Sequence, residues 1–247
     1  MSANLAPGTL YLLPTGLGES ALADVLPEPV LATAGRLLHF IAENPKSARA
    51  FLKQAGYPRP LAEAVITTLD KNTPVLAIPG LLEPLLRGFD AGLLSEAGCP
   101  AVADPGALLV RAAHRAGIPV VPLVGPSSIL LALMASGLNG QRFAFHGYLP
   151  VDNAARTERL RELERRSRQD DATQIFIETP YRNDTVLRAV LDSCAPDTLL
   201  CVASDLTQPS AQVRTQQIRD WRKKPVSIDR RPSVFLVYAG NGTRETR

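Results

Sequence analysis

The chain has 247 residues, 45% of them hydrophobic and 21% charged, with a formal net charge of +3, so it can bury a sizeable core as one large or two ordinary domains. No uninterrupted apolar run approaches the ~20 residues that span a bilayer, and residues 1–5 lack the basic-then-apolar pattern of a secretion signal, so a cytoplasmic protein with no membrane partner is expected. Three cysteines (Cys99, Cys194, Cys201) and three scattered histidines offer neither a disulfide framework nor metal-ligand spacing, and no metal is expected.

Thr9 to Leu13 is a short apolar run ending at Pro14, which predicts a buried strand. Gly16-Leu17-Gly18-Glu19-Ser20-Ala21 then satisfies G-x-G-x-x-A, the spacing that lets a pyrophosphate approach a helix N-terminus in dinucleotide-binding proteins. Pro27 and Pro29 limit any helix there to roughly two turns. A helix over Val30–Ala34 and a strand over His39–Ala42, ending at Glu43, come next. Ser47–Gln54 reads as a basic amphipathic helix with Arg49 and Lys53 one turn apart. Leu61–Leu69 and Leu81–Arg87 are expected as two short helices, and Phe89–Leu94 as a strand.

That strand feeds the loop Ser95-Glu96-Ala97-Gly98-Cys99-Pro100-Ala101-Val102-Ala103-Asp104-Pro105-Gly106. Glycine opens backbone conformations closed to other residues, and proline fixes φ. The loop is therefore stiff, carries little side-chain bulk and holds two carboxylates at a strand end, as a ligand-cradling βα loop requires. An ordinary turn would use the same residues. A helix at Leu109–Ala116 and a strand at Val120–Leu123 complete a βαβ pattern, so the first half predicts a parallel sheet with helical crossovers. Gly125-Pro126 is a candidate hinge. Ser127 and Ser128 stand where N-cap residues belong, ahead of an apolar helix at Ile129–Ala135, and that helix start could also receive a carboxylate.

Alternation continues in the second half. Strands are expected at Phe143–Gly147, Gln174–Glu178, Thr198–Ala203 and Val234–Tyr238. Helices are expected at Arg156–Arg168, which is strongly charged, and at Thr185–Ser193. Gln212–Lys224 is polar, and 241–247 is a polar tail. Residues 1–100 carry 7 Lys+Arg against 9 Asp+Glu, whereas the remainder carries 20 against 15. The basic half, with arginines 156, 159, 161, 165, 166 and 168 and the run Arg222-Lys223-Lys224, suits a polyanion such as RNA. Glu158, Glu162 and Glu164 interleave with the arginines, so i,i+4 pairing absorbs part of that charge.

The loop S-E-A-G-C-P-x-x-A-D-P-G resembles the S-D-A-G-T-P-x-x-x-D-P-G loop of the tetrapyrrole-methylase superfamily, nearest its small-subunit ribosomal RNA cytidine ribose 2′-O-methyltransferase branch. Leu10–Gly18, Val120–Ser128, Ala135–Leu138, Phe145–Pro150 and Ile177–Arg182 resemble further segments of that branch in the same order. One segment departs: where the branch has A-E-D-T-R, this chain has Ala42-Glu43-Asn44-Pro45-Lys46.

The resemblance implies an S-adenosylmethionine-dependent methyltransferase. The expected fold is α/β in two domains, a parallel-sheet domain at 1–124 and a mixed-sheet domain at 125–240, with a cofactor cleft between them. It implies a homodimer, an RNA substrate or a small tetrapyrrole-like acceptor, and a cofactor site drawn from Pro14, Gly98, Asp104, Ser127, Ser128 and Leu149. Methyl transfer asks the protein mainly to bind, orient and exclude water, and a ribose hydroxyl gains from a nearby base. Glu96 is the catalytic candidate, with His146 as a second possible base. Two rival functions are a dinucleotide-dependent oxidoreductase, resting on Gly16-Leu17-Gly18, and a catalytically silent RNA-binding module.

Overall fold

The computed structural model describes residues 6–224 and 226–240, and the chain divides into two compact units, Met1–Ser127 and Ser128–Arg247. The polar tail expected at 241–247 lies outside the described residues.

The first unit contains β1 (Leu10–Leu13), α1 (Leu22–Val25), α2 (Glu28–Arg36), β2 (His39–Ala42), α3 (Pro45–Gln54), β3 (Val65–Thr68), α4 (Glu83–Leu86), β4 (Ala91–Leu94), α5 (Ala107–Arg115) and β5 (Val120–Pro122). All five strands are parallel, in the order β3-β2-β4-β1-β5. The central strands are apolar runs because helices cover both faces, so neither face meets water. Leu13, Phe40 and Leu94 pack against Val30, Ala34, Phe51 and Leu52 from α2 and α3. Leu10, Ile41 and Leu93 turn the other way, onto Leu85, Leu109 and Ala113 from α4 and α5.

From β1 the chain crosses towards β2; from β4 it crosses past β1 to β5. Adjacent strands β1 and β4 thus send their connections in opposite directions. Open α/β sheets place ligands at such a switch point, outside the strands' carboxyl ends.

The second unit contains α6 (Ser128–Ser136), β6 (Phe143–Tyr148), α7 (Asn153–Asp170), β7 (Thr173–Ile177), α8 (Asn183–Ser193), β8 (Leu199–Ser204), β9 (Gln212–Gln217), α9 (Ile218–Lys223) and β10 (Ser233–Tyr238). Its mixed sheet has the order β6-β7-β10-β8-β9, parallel only between β6 and β7. Period-two alternation divides the strands between faces. Phe176, Leu200, Phe235 and Val237 meet α7, α8 and α9, with the Phe176 and Phe235 rings stacked at 5.4 Å. Ile175, Cys201, Val234 and Leu236 meet Ala132 and Leu133 of α6.

Two expectations are corrected, and one segment left without an element gains two. The helix at Leu61–Leu69 is instead a turn followed by β3, because Val65-Ile66-Thr67-Thr68 is a β-branched run whose stiff side chains favour pleated backbone once β2 offers a partner. The helix at Leu81–Arg87 is the end of a 3-10 segment, Val75–Leu82, passing into the single turn of α4. Pro79 and Pro84 remove the amide donors that a longer α-helix would need. Finally, the polar segment Gln212–Lys224 holds an edge strand, β9, and the short α9. An edge strand wetted on one face needs no apolar run. Among the described residues, no helix is long and apolar enough to cross a membrane.

Candidate functional site

At the switch point the segments after β1 and β4 are tied together. Ser95, the first residue beyond β4, donates its hydroxyl to the Gly98 carbonyl at 2.6 Å. The Thr15 amide donates to the same carbonyl at 2.9 Å. With the Ser95 proton committed, the Thr15 hydroxyl is the donor across its 3.3 Å contact to Ser95 Oγ. The Gly98 carbonyl therefore pins two loops at once. Neither Thr15 nor Ser95 was a sequence-derived site residue, since a contact across 80 positions leaves no local signal.

Gly98 has φ +75°, a left-handed conformation that favours glycine. A Cβ there would lie 3.0 Å from Leu17 Cδ2 and 3.2 Å from the Pro126 carbonyl oxygen. Ala101 and Ala103 also have positive φ, at 64° and 61°. For L-residues with a Cβ that region costs roughly 1–2 kcal/mol each, so the loop holds a shape its sequence alone would not choose. Pro14 is buried, and its ring lies against Gly125, where a Cβ would come within 2.3 Å of Pro14 Cγ. Gly125, expected as a hinge, is thus a close-packing glycine.

Three carboxylates gather at these strand ends. Asp104 is raised to about 6 by burial, with repulsion from Glu43 and Glu96 adding to it. Glu43 directly follows β2. Glu96 is exposed and accepts a hydrogen bond from the Ser47 hydroxyl at 3.0 Å. The departure Asn44-Pro45 forms the start of α3: the Asn44 side chain accepts from the Lys46 amide at 2.9 Å, and Pro45 occupies the first turn. Among the described residues, no group of three or more His, Cys, Asp or Glu side chains is arranged to hold a metal ion.

Of the sequence-derived candidates, the first unit brings Glu96, Gly98 and Asp104 into one loop, with Pro14 directly after β1. Ser127 follows Pro126, whose carbonyl accepts from the Cys99 thiol at 3.5 Å. Ser128 opens α6 in the second unit. Leu149 is 3% exposed in the second unit's core, so only its backbone is available to a ligand. His146, the other candidate base, is bound on both ring nitrogens, to Gln174 Oε1 at 2.7 Å and Arg159 Nη2 at 3.1 Å. Because Arg159 can only donate, Nδ1 accepts and Nε2 carries the proton of the neutral ring. Burial pushes the His146 pKa down, and the ring serves structure.

The expected basic cluster is partly structural as well. Arg156 is 4% exposed and donates to the Val151 carbonyl at 2.9 Å and to Asn153 Oδ1 at 2.8 Å. Arg159 and Arg166 both pair with Glu162. Arg222 donates to the carbonyls of Leu191 and Cys194. Arg161 and Arg165 are exposed. After Gly16-Leu17-Gly18, α1 is a single turn whose N-cap, Ala21, makes no side-chain cap. That start is too short for the pyrophosphate-binding helix of the dinucleotide reading.

Comparison with known proteins gives the family and the fold. Residues 9–221 match the family described as Tetrapyrrole (Corrin/Porphyrin) Methylases. A protein of Xylella fastidiosa (strain Temecula1) named ribosomal RNA small subunit methyltransferase I is 36% identical over 204 residues, or 82% of this chain and 70% of that protein. A Mesorhizobium japonicum protein of the same name is 34% identical over 231 residues, 94% of this chain and 74% of its own. Among solved structures, the methyltransferase CobJ shares the fold with a TM-score of 0.63 over 97% of both chains, at 22% identity.

Proposed function

The chain belongs to the tetrapyrrole (corrin/porphyrin) methylase family, and from that premise we propose that it transfers the methyl group of S-adenosylmethionine to a ribose 2′-oxygen of small-subunit ribosomal RNA. The observation that carries the reading is the acidic, glycine-shaped loop at the β1/β4 switch point. S-Adenosylmethionine supplies a methyl group already activated on a cationic sulfur. A site where Glu43 and Glu96 help to raise Asp104 to about 6 has excess negative potential, and a cation relieves it. Gly98 keeps side-chain bulk away from the pinned backbone, and the tie between Thr15, Ser95 and Gly98 holds the loop before ligand arrives, which lowers the ordering cost of binding. Pro14 and Ser127 are the further cofactor-site candidates of the first unit, and Ser128 and Leu149 are those of the second.

In this reading Asp104 and Glu43 serve cation binding, and Glu96, fixed through one oxygen by Ser47, orients or deprotonates the acceptor hydroxyl. The RNA substrate rests on the relatives' names and on the basic excess beyond residue 100; ribose as the acceptor rests on the motif resemblance. Ribosomal RNA as substrate also implies the cytoplasm. A homodimer is part of the proposal, supported by the exposed Leu130 and Met134 one turn apart on α6, and light scattering giving a monomer mass at micromolar concentration would remove it. Substitution of Glu96 by Gln tests the catalytic role: cofactor affinity should be unchanged and the single-turnover methyl-transfer rate should fall by roughly 10²–10⁴-fold. An unchanged rate would remove Glu96 from catalysis, and lost cofactor affinity would move it to the cofactor site. A catalytically silent RNA-binding module would show RNA affinity with no transfer in the parent protein.

A further inference from the structure

In the second unit, exposed aromatic rings stand at the end of one strand and just beyond the end of its parallel neighbour. Tyr148 is the last residue of β6 and 56% exposed; Tyr181 lies four residues beyond the end of β7 and is 79% exposed. Both sit on segments held rigid from below. Glu178, whose side chain is 1% exposed, accepts the Thr179 amide at 2.8 Å and pairs with Arg182 Nη2 at 3.1 Å. The Arg182 amide closes the turn onto the Thr179 carbonyl at 2.9 Å, and the Arg230 amide reaches the Pro180 carbonyl at 3.1 Å. Beyond Tyr148, the buried Arg156 grips the Val151 carbonyl, and Asp152 caps α7 by accepting the Ala155 amide at 2.9 Å. Arg182 joins the two segments, its Nη2 also reaching the Pro150 carbonyl at 3.5 Å.

A buried carboxylate is costly unless paired, and one spent on orienting a single guanidinium fixes a geometry more than it adds stability. Exposed aromatic rings on tied backbone segments, with a guanidinium that bonds to both segments, offer what unpaired bases use: every base has a π-face to stack, and a guanidinium can lie flat against a base or meet a phosphate. We propose that Tyr148, Tyr181 and Arg182 form a stacking platform for an unpaired nucleotide of the RNA substrate. This rests on the RNA reading above and assigns residues that the cofactor loop does not use.

The test uses the full chain and a short single-stranded oligoribonucleotide carrying 2-aminopurine, whose fluorescence is quenched on stacking. Binding to the parent protein should quench it. Tyr181→Ala should weaken binding by about 5- to 150-fold, the range for losing one base–aromatic stack, and should abolish the quench; Tyr181→Phe should restore both. The salt dependence of binding should not change, because no phosphate contact is lost, and a fully paired duplex should not discriminate the variants. S-Adenosylmethionine affinity equal to the parent's shows that Tyr181→Ala is folded. If Tyr148→Ala and Tyr181→Ala both bind and quench like the parent, the platform is overturned while the RNA reading stands. If the parent itself neither binds nor methylates RNA, both fall.

Discussion

Burial and the carboxylates Glu43 and Glu96 hold Asp104 at about 6, and one substitution there should have opposite effects on folding and on binding. A carboxyl group whose folded pKa exceeds its unfolded value binds its proton more tightly when folded. Its contribution to stability is therefore greatest below the unfolded value near 3.8 and is lost as pH rises through about 6. Asp104→Asn removes the charge and keeps the shape. At pH 8 it should raise the Tm of the ligand-free protein by about 2–4 °C, the shift from about 1 kcal/mol in a chain of this size after solvent screening; the gain should shrink through the window between about 6 and 3.8 and vanish below 3.8, where the carboxyl is protonated in both states. Calorimetry should show the reverse for ligand: at pH 8 the variant binds S-adenosylmethionine about tenfold more weakly. S-Adenosylhomocysteine, whose sulfur is neutral, should lose much less. Equal losses for both ligands would mean that the carboxylate acts through shape or hydrogen bonding. Asn44 is the complementary case. It departs from the family motif, yet its side chain caps α3 as an aspartate would, so the departure removes a charge and keeps the helix start.

The loop 95–106 owes its shape to backbone angles as much as to side chains. Gly98→Val places a β-branched residue at φ +75° against Leu17 and Pro126; it should lower S-adenosylmethionine affinity at least about tenfold while circular dichroism stays that of the parent. Ala103 is exposed, where substitutions are usually silent, but its φ is 61°. Ala103→Gly should therefore stabilise by about 1 kcal/mol in urea unfolding, and no gain would show that the loop relaxes freely. On α7 the sequence misleads in a different way, because its arginines are equal as letters and unequal in place. Arg161→Gln and Arg165→Gln should each lower the salt dependence of RNA binding by roughly one unit of slope. Arg156→Ala should instead destabilise the fold by about 2–4 kcal/mol, by stripping the donors from the Val151 carbonyl and Asn153. The apolar strands β1, β2 and β4 and the loop motif were legible because burial on both faces writes itself into consecutive residues. The segment of β3 reads as helix and that of β9 gives no strand signal, because an edge strand takes its conformation from a neighbour distant in sequence. The tie of Thr15 and Ser95 to Gly98 was hidden for the same reason.

Across the whole chain, charge and chemistry follow the two units. Residues 1–127, which hold the strand-end carboxylates, carry 9 Lys+Arg against 10 Asp+Glu, and 128–247 carry 18 against 14, in keeping with a cationic cofactor and a polyanionic acceptor. The family relationship accounts for the fold, and the site accounts for what the fold can bind, but methyl transfer is a claim about a product. The direct measurement is to incubate the protein with S-adenosylmethionine labelled in its methyl group and small ribosomal subunits lacking the modification, digest the RNA to nucleosides, and locate the label by mass spectrometry. Label in a 2′-O-methylated nucleoside, reduced in Glu96→Gln and absent in Gly98→Val, is the predicted result. Label on a base, or no transfer from a protein that binds the cofactor, would contradict it.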